Sequence, residues 1–160
     1  MAVCVIIRGP AGVGKTTIAK ELSNHLNADY ISFDEILEKN ELDTIIGDGI
    51  PSKNFIQANK IILPNIKKTL KQGKNVVLDG CFYRKSQYEH LKNEIENLII
   101  FTLSSSLEIC QERNNIRGGR MSPEAIKDVF NLVSKVSLGI LVNTENKTKK
   151  EIVKEIISRL

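Results

Sequence analysis

Short apolar runs recur along the chain and predict the strands of a sheet. The runs are rich in valine, isoleucine and leucine, and glycine, asparagine, aspartate or serine residues bound most of them. Runs that are apolar nearly throughout are typical of strands covered on both faces of a sheet. Five strands are predicted, at residues 2–7, 30–33, 75–80, 98–103 and 138–142.

Between these runs, apolar residues recur three or four positions apart, which is the spacing of an amphipathic helix. The pattern predicts helices over residues 16–26, from 32 toward 40, over 55–70, 86–91 and 107–117, from 122 onward, and over 148–160. Ser32 with Glu35 and Thr148 with Glu151 match a capping box, which marks a helix start. Pro64 lies inside the third helix and is expected to kink it or divide it in two, because proline removes one backbone hydrogen bond.

The alternation of strands and helices predicts an α/β fold. Connections of this kind give a five-stranded parallel sheet with helices on both faces, a three-layer arrangement. The chain has 160 residues and no linker or repeat, so a single domain is expected over residues 1–160. In such sheets, ligands bind at the carboxyl ends of the strands.

The composition is ordinary for a globular protein and points to the cytoplasm. Hydrophobic residues make up 41% and charged residues 26% of the chain, and no apolar run is long enough to span a membrane. Met1 leads into the first strand without a basic region or cleavage site, so we expect a cytoplasmic protein with no membrane partner. The three cysteines are odd in number and show no metal-ligand spacing, and Cys4 is expected in the core.

The turn after the first strand has the sequence G-x-x-x-x-G-K-[ST] of a phosphate-binding P-loop. A chance match in a chain of this length is expected roughly once in a hundred, and the strand before it and the helix after it fit the motif. Lys15 is expected to reach the β- and γ-phosphates of a nucleotide, and the Thr16 hydroxyl to bind Mg²⁺. The predicted nucleotide-binding residues are Gly9, Ala11, Gly12, Val13, Gly14, Lys15, Thr16 and Thr17.

With these motifs in order, the chain resembles the small P-loop kinases of the nucleoside monophosphate kinase-like superfamily. The segment from Asp79 to Arg84 is similar to the Asp-Gly-aromatic-Pro-Arg segment of adenylate kinases, with an insertion and no proline. The segments from Leu103 to Glu108 and from Glu112 to Arg117 resemble more closely the branch of polynucleotide 5′-kinases, chloramphenicol phosphotransferases and zeta toxins. The resemblance implies phosphoryl transfer from ATP, with Mg²⁺, to an acceptor bound at about residues 34–65.

Two acids follow strands and are candidates for the chemistry. By the resemblance, Asp34 accepts a proton from the attacking hydroxyl, although its place at a helix start also explains a negative charge there. Asp79 resembles the acid that holds Mg²⁺, and an unpaired carboxylate at the end of an apolar strand is costly without such a role. Position alone does not decide which of the two is the base. Phe82 and Tyr83 either stack on an acceptor ring or pack in the wall.

Three arginines form a candidate lid at about residues 113–122. Arg113 and Arg117 are four apart on a predicted helix, Arg120 follows, and Gly118 with Gly119 is a candidate hinge. Arginines that close over the γ-phosphate would stabilise the transition state and exclude water. The alternative is that they are solvated and pair with neighbours such as Glu112.

No arginine lies between Arg8 and Arg84. Recognition of a phosphate or carboxylate favours the planar fork of arginine, so this gap favours a neutral hydroxyl on a small-molecule acceptor, for example a nucleoside. The net charge of +4 permits a nucleic-acid 5′-hydroxyl acceptor, but no basic and aromatic track demands one. A nucleoside monophosphate kinase and a nucleotide-binding ATPase switch remain as alternatives. The sequence does not indicate the oligomeric state.

Overall fold

The computed structural model describes all 160 residues as alternating strands and helices around one sheet. The elements are β1 (Cys4–Arg8), α1 (Lys15–His25), β2 (Asp29–Ser32), α2 (Phe33–Lys39), α3 (Ser52–Lys71), β3 (Val76–Gly80), α4 (Lys85–Glu94), β4 (Leu98–Ser104), α5 (Leu107–Ile116), α6 (Pro123–Ser134), β5 (Ile140–Asn143) and α7 (Lys149–Ile157). All five predicted strands are confirmed, with ends that differ by one or two residues. None of the seven helices combines the length and the apolar character needed to cross a membrane.

The five strands form a parallel sheet in the order β2-β3-β1-β4-β5. The predicted α/β fold with a parallel sheet is therefore confirmed. Asp79 of β3 lies beside Ile7 of β1 on one side and beside Ser32 of β2 on the other. This register places Asp79 between the end of β1, where the glycine-rich turn begins, and the end of β2, which precedes Asp34.

Apolar side chains fill both faces of the sheet, and the alternation along β1 shows how they divide. Cys4 and Ile6 face the cluster that α2, α3, α4 and the second half of α6 complete. Val5 and Ile7 face the cluster that α1, α5 and α7 complete. Since every residue of β1 is buried, this strand is the centre of the fold. Cys4 lies in the core as predicted, and burial raises the pKa of its thiol to about 12.

Two local expectations hold only in part. Helix α3 is not divided at Pro64, because buried residues before and after the proline hold both halves against the same core, and the kink stays a prediction. Helix α2 begins at Ser32 as predicted, but its capping box is half formed: the Ser32 hydroxyl accepts from the Glu35 N–H at 3.4 Å, and the Glu35 carboxylate accepts no bond from the Ser32 N–H. Ser32 is also the last residue of β2, so its backbone belongs to the sheet. The second capping box, Thr148 with Glu151, is complete.

Arg8, the last residue of β1, is a buried guanidinium that ties three segments together. Its exposed fraction is 1%, and it donates to the carbonyl oxygen of Phe82 (3.0 Å), the Thr102 hydroxyl (3.1 Å) and the carbonyl oxygens of Val133 and Val136 (2.8 and 2.7 Å). None of these acceptors is a carboxylate, and burial lowers the pKa of Arg8 to about 10. The end of α6 and the turn after β3 are therefore fixed to the strand that precedes the glycine-rich turn.

We expect Arg8→Met to destabilise the protein by about 3 kcal/mol, which lowers the melting temperature by roughly 6–12 °C. Methionine fills the space but removes all four hydrogen bonds, and only the Val133 carbonyl oxygen keeps another donor, the Val136 N–H. Each buried acceptor left without a donor costs about 1–3 kcal/mol, and removal of the buried charge offsets part of that cost. Thermal unfolding followed by circular dichroism measures the effect. Arg159→Met, which removes an exposed ion pair with Glu155, serves as the control and should stay within about 0.5 kcal/mol. Equal shifts in the two variants would contradict the structural role of Arg8.

Candidate active site

The glycine-rich turn between β1 and α1 has the backbone conformation of a phosphate cradle. Gly12 and Gly14 have φ angles of 84° and 98°, a region that side chains disfavour. A Cβ atom at Gly12 would lie 2.4 Å from the carbonyl oxygen of Cys110, and one at Gly9 would lie 2.8 Å from the Cγ1 atom of Val13. These positions therefore require glycine for geometric reasons as well as for the predicted function.

The start of α1 leaves a group of backbone N–H donors without acceptors. The Val13 N–H bonds to the carbonyl oxygen of Pro10, but the N–H groups of Gly12, Gly14, Lys15 and Thr16 donate to nothing in the chain. Helix α1 has neither a side-chain cap nor an acid in its first turn, as is also true of α3 and α4, whereas the other four helices are each capped by a serine or threonine. Unpaired donors at a helix N-terminus fit a polyphosphate.

Lys15 points into a cleft beside this turn and is surrounded by negative groups. Its exposed fraction is 8%, and Cys81 lines the same cleft. Burial on its own lowers the pKa of Lys15, but Cys81, Asp34 and Asp79 lie close enough to raise that pKa above its usual value. Lys15 is therefore a cation at neutral pH, held where the end of a phosphate chain would lie.

Asp79 and Thr16 supply oxygen atoms suited to a magnesium ion beside that chain. Asp79 is 3% exposed, and one of its carboxylate oxygens accepts a hydrogen bond from the Tyr30 hydroxyl at 2.9 Å. The other oxygen has no partner in the chain. Thr16 lies in the first turn of α1 with an exposed side chain. Mg²⁺ is commonly bound through one or two carboxylates together with substrate phosphates.

Asp34 lies in the first turn of α2 at the opposite side of the cleft. Its side chain reaches solvent through the cleft mouth, but its inner side is packed against neighbours. This loss of water raises the pKa of Asp34; Lys15 opposes the effect, and Asp79 and Glu38 add to it. Asp34 thus combines access to a ligand with a basicity above that of an ordinary aspartate.

The space between Lys15 and Asp34, here called the inner chamber, has a volume of about 210 Å³. Eleven of its 14 lining residues are hydrophobic, and the remaining three are Lys15, Asp34 and Asp43. The apolar residues around it are Ala11, Phe33, Leu37, Ile45, Ile50, Phe55, Cys81, Phe82, Tyr83, Met121 and Val129. A small apolar chamber with a few convergent polar groups is the usual form of a ligand site.

Two of the predicted candidates, Phe82 and Tyr83, pack in the wall of the inner chamber. The Phe82 ring lies 5.3 Å from that of Phe33, and the Tyr83 ring lies edge-on to Phe55 at 5.2 Å. The Tyr83 hydroxyl accepts the Ile50 N–H at 2.9 Å. Wall packing is confirmed for both rings, and stacking on an acceptor stays a prediction.

The three candidate lid arginines lie at the end of α5 and in the turn after it. The Arg113 guanidinium donates to the carbonyl oxygen of Val13 at 2.6 Å, which places it over the glycine-rich turn. Arg117 and Arg120 are exposed, and neither pairs with Glu112 or any other acid. Their predicted role over the γ-phosphate stays a prediction. Gly118 and Gly119, at the candidate hinge, have φ angles of 95° and 65° and open space around them.

Arg84, the nearest arginine in sequence to Asp79, does not line the inner chamber. It bonds to the Asp48 carboxylate at 2.8 Å and to the carbonyl oxygen of Ile50 at 3.0 Å, and its guanidinium lies 5.2 Å from the centre of the Tyr83 ring. The inner chamber accordingly has no arginine in its lining.

Two residues of the inner chamber, Cys81 and Asp43, could not be predicted from the sequence. Cys81 has no distinctive local sequence, because its contact with Lys15 joins residues that are far apart in the chain. Asp43 lies in the loop after α2, within the predicted acceptor region at residues 34–65, but nothing in its local sequence distinguishes it from other exposed acids. Only the folded cleft brings Asp43 to the same chamber as Lys15.

Comparison with known proteins gives a family and several relatives. A family model described as an AAA domain matches residues 4–134. A protein of Pyrococcus abyssi (strain GE5 / Orsay) named "Putative adenylate kinase" is 31% identical over 164 residues, covering 96% of this chain and 81% of that protein. A protein of Thermococcus onnurineus (strain NA1) with the same name is 27% identical, covering 98% of this chain and 83% of that protein.

Solved structures share the fold at lower sequence identity. The crystal structure of an unliganded sugar kinase from Janibacter sp. HTCC2649 superposes with a TM-score of 0.83 at 15% identity. The match covers 99% of this chain and 94% of the sugar kinase. At this identity the likeness concerns the fold, and it agrees with the three-layer arrangement described above.

Proposed function

We propose that this chain, which belongs to the AAA domain family, transfers the γ-phosphoryl group of ATP to a hydroxyl group on a small molecule. The chain is a P-loop phosphotransferase that uses ATP and Mg²⁺. The observation that carries the proposal is the inner chamber, in which the P-loop Lys15 and the accessible base Asp34 line one small cavity. A binding protein or a simple ATPase has no need for a chamber of that kind beside the phosphate cradle.

Each group in the cleft has a place in the proposed reaction. The unpaired N–H groups of the P-loop bind the phosphate chain, and Lys15 binds its β- and γ-phosphates. Bound Mg²⁺ supplies positive charge to the phosphate oxygens, and Thr16 and Asp79 are the residues that would hold it. The acceptor oxygen bonds to the γ-phosphorus, the bond to the β,γ-bridging oxygen breaks, and the acceptor proton passes to the Asp34 carboxylate. The apolar wall keeps water, a competing acceptor, away from the γ-phosphate.

The charges of the inner chamber argue against an anionic acceptor. A phosphate or carboxylate group is usually held by the fork of an arginine, and Arg84 is already committed to Asp48 and Ile50. The relatives named adenylate kinase nevertheless make AMP a specific second candidate for the acceptor. A nearer relation to the branch of polynucleotide 5′-kinases, chloramphenicol phosphotransferases and zeta toxins also stays a proposal.

We further propose that the turn after α5 acts as a lid. Arg113 already contacts the P-loop at Val13, and Arg117 and Arg120 follow it without partners. Rotation at Gly118 and Gly119 would bring these exposed guanidinium groups over the γ-phosphate, where they stabilise the charge that develops during transfer. Arg113 differs from the other two because its contact exists before nucleotide binds.

An acceptor screen tests the proposed function. ADP formation is measured with ATP and Mg²⁺ alone, then with AMP, with nucleosides, sugars and amino sugars, and with 5′-hydroxyl oligonucleotides. We expect a hydroxyl compound without phosphate or carboxylate to raise ADP formation at least about a hundredfold over the rate without acceptor, because general-base assistance alone is worth roughly 10²–10⁴. The Lys15→Ala variant, purified in the same way, reports contaminating kinases.

The other outcomes of the screen select among the alternatives. Stimulation by AMP alone would replace the proposal with adenylate kinase activity. Stimulation by oligonucleotides alone would indicate a nucleic-acid 5′-hydroxyl kinase. Rapid ADP formation that no acceptor changes would indicate an ATPase switch.

A further inference from the structure

Two acids of the inner chamber have no partner in the protein. Asp34 and Asp43 both line the chamber and reach solvent, and neither forms an ion pair or a side-chain hydrogen bond. The only cation in the lining is Lys15, which belongs to the nucleotide in the proposed function. Once ATP occupies the P-loop, the acceptor therefore meets two carboxylates and no free positive charge.

A second cavity continues the inner chamber toward α6, and one of its two acids has no ion-pair partner. This outer chamber, of about 350 Å³, shares Ile45, Tyr83, Met121 and Val129 with the inner one. Its charged lining residues are Asp48, Asp128 and Lys135. Asp48 is paired with Arg84, and Lys135 also lies near it, whereas Asp128 forms no ion pair.

The charge of this cleft is opposite to that of the whole chain. The chain carries a net charge of +4, so a random stretch of its surface would present more bases than acids. The two chambers instead contain four acids, Asp34, Asp43, Asp48 and Asp128, and two lysines. Apolar walls strengthen the field of such charges because they exclude water and its screening.

We propose that the acceptor carries a positively charged group, an ammonium or a guanidinium, in addition to the hydroxyl that receives the phosphoryl group. This inference rests on the proposed function and refines the neutral acceptor expected from the sequence. The cation lies against Asp43, while the hydroxyl faces Asp34 and the γ-phosphate. The volume of the inner chamber is below the range of about 300–1,000 Å³ that is usual for small-molecule sites. The part of the acceptor that does not fit there extends into the outer chamber.

Asp43 is the residue that sets this preference. Its carboxylate has no internal partner, and its neighbours in the chamber wall, Ile45 and Ile50, cannot compete for the charge. A charge-assisted hydrogen bond there attracts an amine and repels a phosphate or carboxylate. Asp34 cannot fill both roles, since a base held in an ion pair with the acceptor would be less able to take the hydroxyl proton.

Fractionation of a metabolite extract tests the charge of the acceptor before the compound itself is identified. The extract is separated at pH 7 into fractions retained on a cation exchanger, retained on an anion exchanger and retained on neither. Each fraction is incubated with the enzyme, Mg²⁺ and γ-labelled ATP, and label in organic products is counted. We expect the cation-exchange fraction to yield at least about ten times as much labelled product as either other fraction.

Labelled product mainly from the neutral or anionic fraction would overturn the inference and leave phosphoryl transfer to a hydroxyl in place. No labelled organic product from any fraction would overturn the transfer function, and the inference with it. The Lys15→Ala variant supplies the background of label transferred by contaminating kinases.

Matched variants locate the preference on Asp43. Glucosamine and glucose, which differ by one amine, serve as probes together with the active cationic fraction. We expect Asp43→Asn to raise the KM for the cationic acceptor about tenfold or more with little change in kcat. Glu41→Gln removes a nearby exposed acid that lines neither chamber and should change neither constant. Equal effects of the two variants, or a loss in kcat alone, would contradict the role of Asp43.

Discussion

Lys15→Ala is expected to abolish most of the stabilisation that ATP and Mg²⁺ give the wild-type protein. A ligand that binds only the folded state at about 100 times its dissociation constant stabilises by about 2.7 kcal/mol. For a domain of this size, that corresponds to a rise in melting temperature of roughly 5–11 °C. Lys15 is the buried cation of the cleft and faces the P-loop donors, so its loss leaves the terminal phosphates without their main counter-charge.

Differential scanning fluorimetry with and without ATP and Mg²⁺ measures this effect. Lys20→Ala, on the exposed face of the same helix α1, is the matched control and should keep the full shift. A Lys15→Ala protein that is stabilised as strongly as wild type would show that the phosphate cradle lies elsewhere. Turnover of the Lys15→Ala variant should fall to the background of the assay for the same reason.

Asp34→Asn is expected to lower turnover with the best acceptor by roughly 10²–10⁴, the usual cost of losing a general base. Binding of ATP and Mg²⁺ should stay near wild type, because Asp34 lies on α2, outside the P-loop, and its proposed partner is the acceptor. The raised pKa of Asp34 also fixes the sign of the pH dependence. Asp34 becomes protonated at a higher pH than an ordinary aspartate does. As the pH is lowered, wild-type turnover should therefore begin to fall at that higher pH, and the turnover of Asp34→Asn should not show this acidic decrease.

Asp79→Asn is the companion variant and should behave differently. The Asp79 carboxylate, which accepts from the Tyr30 hydroxyl, is the proposed metal ligand, so the substitution should raise the Mg²⁺ concentration needed for half-maximal turnover. A Mg²⁺ titration of turnover for both variants, alongside nucleotide binding, separates the roles. If Asp34→Asn needed more Mg²⁺ while Asp79→Asn lost only turnover, the two assignments would have to be exchanged. Near-normal activity of Asp34→Asn would show that Asp34 has no catalytic role and serves only to stabilise the start of helix α2.

The strands and the P-loop could be predicted because their signals are local. The run from Cys4 to Arg8 is buried throughout, and a strand covered on both faces has to be apolar along nearly its whole length. The P-loop needs glycine at Gly12 and Gly14 for backbone angles that the sequence reveals directly. The capping pair Thr148 and Glu151 likewise acts within one turn of helix.

Features that depend on contacts between distant segments could not be predicted. The hydrogen-bond partners of Arg8 lie between 74 and 128 residues away in the chain. Its role in linking these segments therefore has no local signal in the sequence. Asp43 and Cys81 reach the inner chamber through the packing of α2 and β3 around it. At Pro64 the local signal was misleading. Proline locally disfavours a helix, but tertiary packing along α3 keeps the helix undivided.

The fate of the γ-phosphate tests the central proposal most directly. The enzyme is incubated with Mg²⁺, γ-labelled ATP and a metabolite extract, and the labelled products are separated by chromatography and identified by mass spectrometry. The proposal predicts a labelled phosphate ester on a hydroxyl of a small molecule, absent when Lys15→Ala replaces the wild-type enzyme. Label found only in inorganic phosphate, or only in ADP formed from AMP, would contradict it.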